Sequence, residues 1–158
     1  MHCRRDLWAA VFVLGWVLGN APVSIRNGMT GAISTAIYNV DVNLDRVFDF
    51  DDTLLDKKVY CLISPVSFSC GNLVPCVLKT VPNVTLIGKA SGGGSCAVLP
   101  MSNAGGALFQ ISSPMHLMYA KNGSYYDIDQ GAEPDYYIDS IENYYDRERL
   151  TEFINSLL

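Results

Sequence analysis

Between Val59 and Ala120 the chain has no Asp and no Glu, although its 158 residues include sixteen acids. Any carboxylate that serves chemistry in this middle stretch must come from outside it, and nine of the acids lie after Gly123. Eleven Lys and Arg leave a formal charge of −5, and they form no cluster. Neutralising phosphates takes clustered cations, so a nucleic-acid partner is excluded. Only two histidines, His2 and His116, are present. The five cysteines (Cys3, Cys61, Cys70, Cys76, Cys96) are odd in number, lie in apolar contexts and lack CxxC spacing. That pattern speaks against a disulfide framework or a zinc site and reads as buried free thiols; no metal and no cofactor is expected. At 49% apolar the chain is not disordered, and its length supports one core, hence a single domain or a piece of one.

The amino terminus admits two readings. Arg4 and Arg5 precede an apolar run from Leu7 to Leu18, and Gly19-Asn20-Ala21 resembles a cleavage site, so residues 1–20 have the outline of a signal peptide. The run is too short to span a bilayer. The other reading is a buried helix that packs Trp8, Val11, Phe12, Gly15, Trp16 and Leu18 against a sheet.

Farther along, Ala21-Pro22-Val23 begins a short strand, and Ile33–Val42 is rich in β-formers and reads as an extended arm. The acidic stretch Asp41–Asp56 reads as a solvated connection in which Leu44, Val47 and Phe48 make a helical turn. Val59–Ile63 and Val84–Ile87 are short apolar runs suited to strands covered on both faces. Two hairpins are expected late in the chain, around Asn103-Ala104-Gly105-Gly106 and around Asn122-Gly123. Glu133-Pro134-Asp135 should end the sheet, and Asp146–Leu158 should form an amphipathic helix with Leu150, Phe153, Ile154 and Leu157 on one side.

Chemistry concentrates after the first buried strand. In Ser64-Pro65-Val66-Ser67-Phe68-Ser69-Cys70-Gly71-Asn72, Ser69 falls at a loop–helix junction; Pro75 fits if the helix begins near Asn72. Backbone N–H groups at a helix mouth favour negative charge, such as an oxyanion formed in acyl transfer. The plainer role for such a serine is a helix cap. Ser67–Gly71 is similar to the G-x-S-x-G elbow but lacks its first glycine, and His116 precedes the available acids, so an α/β-hydrolase is rejected. Gly88-Lys89 has no glycine five residues before it, so Gly92-Gly93-Gly94 does not complete a phosphate-binding loop.

Three segments in order, across about residues 59–138, resemble peptidase family S41, the tail-specific and tricorn-type proteases: Val59–Asn72; the glycine-rich Ile87-Gly88-Lys89-Ala90-Ser91-Gly92-Gly93-Gly94-Ser95; and Asn122-Gly123 through Gly131-Ala132-Glu133-Pro134-Asp135. The resemblance implies an α/β fold of ClpP/crotonase-like stacked ββα layers, a mixed sheet with flanking helices. It matches Ser69 to the nucleophile, the Cys70 N–H to one arm of the oxyanion hole, and Gly92, Gly93 and Gly94 to a substrate-side loop. In the Ser-Lys members the lysine base would stand at Gly94, and Lys89 lies five residues too early. The triple glycine is instead similar to the Ser-His, tricorn-type branch, in which a histidine from an upstream segment activates the serine. Asp129 then matches the orienting carboxylate, with Asp127 as the alternate. His116 is read as structural, and His2 sits at a chain end.

The histidine, a PDZ-like substrate-recognition region and a glycine turn supplying the second oxyanion arm would precede residue 1, making the chain an N-terminally truncated catalytic domain. Peptide or protein substrates, an extracytoplasmic location and weak or absent activity of the isolated chain follow from the resemblance. The alternative is a secreted, non-catalytic binding module whose mature form begins near Pro22.

Overall fold

The computed structural model describes residues 2–140 and 144–157, with the side chains of residues 2–5 left aside. Helix α1 spans His2–Leu18, and two hairpin strands follow, β1 (Ala21–Asn27) and β2 (Ile33–Tyr38). Then come β3 (Val59–Ile63), helix α2 (Cys70–Leu78) and β4 (Val84–Gly88). The later strands are β5 (Cys96–Ser102), β6 (Leu108–Lys121), β7 (Ser124–Asp127) and β8 (Tyr136–Tyr137), before the last helix, α3 (Arg147–Ser156).

The expected α/β architecture with flanking helices is present, and parallel and antiparallel strands separate into two sheets. One runs β2-β1-β6-β5 with β7 also on β6, antiparallel throughout. The other, β3-β4-β8, is parallel. Both late hairpins form, and they share the single 14-residue strand β6.

Helix α1 is built into the core. Ala10, Val11, Leu14 and Val17 recur at helical spacing and are buried in one cluster with Leu73 and Val77 of α2, Val23 of β1, Val84 of β4 and Leu117 of β6. Burying a side chain such as Leu14 or Leu73 is worth about 1.5–3 kcal/mol. Trp8, Phe12 and Trp16, expected to pack inward, are exposed, so the apolar stripe is shifted round the helix from the expected one. Among the described residues no helix is long and apolar enough to cross a membrane.

Four further expectations are revised. Helix α2 starts at Cys70 rather than Asn72, which places Pro75 inside the helix, where it cannot supply a backbone donor, and makes Ser69 the N-cap. The acidic connection has a 3-10 turn at Phe50–Asp52 in place of a turn through Leu44–Phe48, and it is not wholly solvated. Asp52 is buried at 3% exposure and its carboxylate accepts from the backbone N–H groups of Val42, Asn43 and Asp49. Burial works to raise the Asp52 pKa, but these three N–H donors together hold it below the ordinary value. The parallel sheet continues past Glu133-Pro134-Asp135, because the Asp135 N–H bonds to the Leu86 carbonyl and leads the chain into β8. Finally, of the four cysteines described, only Cys70 and Cys76 are buried; Cys61 and Cys96 are half-buried, and none of the four is in a disulfide.

Candidate active site

Ser69 caps α2 with an uncommon backbone, φ 56° and ψ −124°. An L side chain is strained there, and such strain costs about 1–3 kcal/mol, persisting only where the surroundings impose it. Here they do. The Ser69 N–H donates to the Gly93 carbonyl at 2.8 Å, the Gly92 N–H donates to the Ser67 carbonyl at 2.9 Å, and Phe68 and Gly93 form a parallel bridge. The hydroxyl makes no capping bond, so the plain role of a helix cap is not what Ser69 performs. The α2 amides of Asn72 and Leu73 both turn back to the Ser69 carbonyl, at 2.9 and 3.0 Å.

Ser69 lines a cleft of about 1180 Å³. Its walls come from α1, the end of β3, the start of α2 and β5, and they are mainly apolar, including Val13, Leu62, Phe68, Val98 and Leu99. Among the described lining residues Asp6 carries the one carboxylate.

The glycine triplet is read by close approach. Gly93 has φ +79°, and a Cβ there would run into the Asp129 carbonyl; Gly94 has φ +84°, and a Cβ there would run into the Phe68 ring. The backbone therefore brings Ser69, Gly93 and Asp129 into one neighbourhood. The position matched to the lysine base of Ser-Lys members is covered by an aromatic ring. The Asp129 carboxylate is exposed and accepts from the Ser95 N–H at 3.2 Å; among the described residues no hydrogen bond joins it to the Ser69 hydroxyl. Cys70 is buried directly after Ser69, at the first turn of α2.

The alternate acid is placed differently. Asp127 accepts from His116 Nδ1 at 3.1 Å, from the Asp129 N–H at 3.0 Å, and lies 3.8 Å from an Arg26 nitrogen. His116 thus belongs to a network with Asp127 and Ser95. Among the described residues no side-chain nitrogen hydrogen-bonds the Ser69 hydroxyl, and the His2 side chain lies outside the described residues.

Two residues that the sequence did not single out tie these parts together. Asn72 is fully buried; its Nδ2 donates to the Ile128 carbonyl at 2.6 Å and its Oδ1 accepts from Ser91 Oγ at 2.5 Å. Ser91 Oγ in turn accepts from the Ala132 N–H at 2.6 Å, and the Ser91 N–H donates to the Ala132 carbonyl at 3.0 Å. The signal was available: a polar pair, one inside an apolar helix and one before the glycines, has to find partners when buried.

A strained serine between a parallel strand and a helix, lining an apolar cleft, sits here in the fold of solved proteases; β3 itself is covered less than expected, with Leu62 exposed. The chain belongs to peptidase family S41, whose sequence profile matches residues 7–138. The photosystem II D1 C-terminal processing protease superposes with a TM-score of 0.60 at 18% identity, over 84% of this chain and 31% of its own. A candidate peptidase from Parabacteroides merdae gives 0.59 at 19%, over 99% of this chain and 48% of its own. A candidate S41 protease from Bacteroides fragilis gives 0.56 at 14%, over 87% and 35%. In sequence, a Chlamydia pneumoniae protein is 40% identical over 58 residues, 37% of this chain and 8% of that protein. The chain therefore spans less than half the length of the relatives it matches.

Proposed function

We propose that this chain carries the nucleophile-bearing part of a serine peptidase site that cleaves peptide bonds through an acyl-enzyme on Ser69. The observation that carries the reading is the strained Ser69 backbone at the mouth of α2, pinned by Gly93 and lining an apolar cleft. In the reaction, a base takes the Ser69 proton as Oγ attacks the substrate carbonyl carbon. The resulting oxyanion is held by the Cys70 N–H, the amine of the peptide leaves with a proton, and water then hydrolyses the ester. The apolar walls favour substrates with apolar side chains beside the scissile bond.

Asp129 is assigned as the carboxylate that orients the base. It enters the neighbourhood of Ser69 through Gly93, and the bond from the Ser95 N–H holds its side chain. Among the described residues no base stands beside Ser69, and the base is taken to be a histidine, as in the Ser-His branch that the chain resembles. The test is hydrolysis of a peptide with apolar residues by a chimera in which this chain replaces the matching part of a competent S41 peptidase. Turnover that is lost in Ser69→Ala and reduced in Asp129→Asn supports the reading; turnover that survives Ser69→Ala refutes it.

A further inference from the structure

Three neighbouring strands of the antiparallel sheet bring a thiol, an imidazole and a carboxylate together at the edge of the cleft. Cys96 on β5 is the direct cross-strand partner of His116 on β6, at a point where the register shifts before Val98. Its Sγ lies 3.8 Å from His116 Nδ1 and 3.9 Å from Nε2. Asp127, at the end of β7, lies 3.1 Å from Nδ1, and the buried Ser95 Oγ lies 3.0 Å from the same nitrogen. The Asp127 carboxylate can only accept, so Nδ1 carries the hydrogen and Nε2 is left as the acceptor of this ring; the thiol sulfur lies about equally far from the two nitrogens. Cys96 is half-buried and, like Ser69, lines the cleft.

Cys61 and Cys76 are set differently. Burial pushes Cys61 up to about 11 and Cys76 up to about 12, which keeps both protonated and inert. Cys76 instead donates to the Asn72 carboxamide oxygen at 3.6 Å.

We propose that Cys96 is a modification site, a thiol primed by the His116–Asp127 pair for exchange with a small disulfide that enters the cleft. The His116 imidazole takes the thiol proton, and the Cys96 thiolate attacks one sulfur of the disulfide. A new sulfur–sulfur bond forms as the old one breaks, and the departing thiolate takes the proton back from the imidazolium. The disulfide is the oxidant, and one free thiol is released for each mixed disulfide made. The adduct occupies the cleft that Ser69 lines, so oxidation would close that cleft. The capture itself is independent of whether Ser69 is a nucleophile.

The test uses the full chain in a Cys3→Ser background, incubated with oxidised glutathione, with adducts located by peptide mass mapping over time. The mixed disulfide is expected on Cys96 about tenfold faster than on Cys61 or Cys76. His116→Gln, checked for folding by circular dichroism, should slow Cys96 towards the rate of the other thiols, and Asp127→Asn should slow it in the same direction. Reaction at Cys61, Cys70 or Cys76 as fast as at Cys96 in the unmodified sheet would overturn the proposal, whatever the variants do. So would an unchanged Cys96 rate in folded His116→Gln.

Discussion

Asn72 Nδ2 donates to the Ile128 carbonyl at 2.6 Å, and through this bond the helix that Ser69 caps is fixed to the segment that carries Asp129. The two residues are 56 apart in the chain. Replacing Asn72 with Ala removes one of two donors from the Ile128 carbonyl, which keeps the Gly131 N–H, and takes the Oδ1 acceptor from the Ser91 hydroxyl, which keeps its bond from the Ala132 N–H, at about 0.5–1.5 kcal/mol for each bond lost. Urea denaturation should show a loss of that order, and Asn72→Asp should not restore it, because a carboxylate offers no N–H to Ile128.

Ser69 is held where glycine would be at ease. Ser69→Gly should therefore raise stability by about 1 kcal/mol, whereas Ser69→Ala, which keeps a Cβ, should not. Thermal unfolding of the two variants side by side checks this. Equal midpoints would mean that the backbone at φ 56° carries no strain.

Gly93→Ala is expected to be among the most damaging glycine substitutions, because the new Cβ meets the Asp129 carbonyl in addition to the penalty for a positive φ. Gly123 has a similar φ of +76° and open space around it, so Gly123→Ala should cost only the backbone term, about 1–2 kcal/mol. Denaturation midpoints should rank Gly93→Ala clearly below Gly123→Ala.

Removing residues 1–20 should unfold the chain, since it strips Ala10, Val11, Leu14 and Val17 from the core. The single substitution Leu14→Ala should cost about 2–5 kcal/mol. Retention of the native near-ultraviolet circular dichroism by the shortened chain would favour the cleaved, secreted form weighed from the sequence.

Asp52 gives a pH dependence of known sign. Its folded pKa lies below the ordinary carboxyl value, so the unfolded chain takes up the proton first as pH falls. The stability it contributes is complete above the ordinary carboxyl range, near 3.8, and is lost as pH drops through the lower folded value. Asp52→Asn should lower the thermal midpoint at neutral pH, and the gap between variant and parent should narrow below about pH 4.

Much of this was legible because short-range signals and long-range packing agreed. The apolar runs Val59–Ile63 and Val84–Ile87, with turn residues on either side, became the parallel pair β3 and β4, and both glycine-bearing hairpins formed. The segment match correctly indicated the S41 family and its α/β architecture. What the sequence hid were effects of partners far away. The start of α2 moved to Cys70 because Gly93 pins Ser69, and no local propensity shows that. Which face of α1 turns inward depends on α2 and β1, so Trp8 and Trp16 were placed on the wrong side. Asp52 was read as solvated because its three N–H donors belong to a loop conformation that has no periodic signature. Glu133-Pro134-Asp135 contains a strand breaker, yet the Leu86 carbonyl carries the sheet beyond it.

The most direct measurement concerns the hydroxyl of Ser69. The chain is treated with a fluorophosphonate, with and without imidazole as a soluble base, and the adduct is located by mass spectrometry. Reaction should be slow without imidazole and faster with it, and the adduct should lie on Ser69 and disappear in Ser69→Ala. An adduct on another residue, or labelling of undiminished extent in Ser69→Ala, would contradict the role proposed for Ser69.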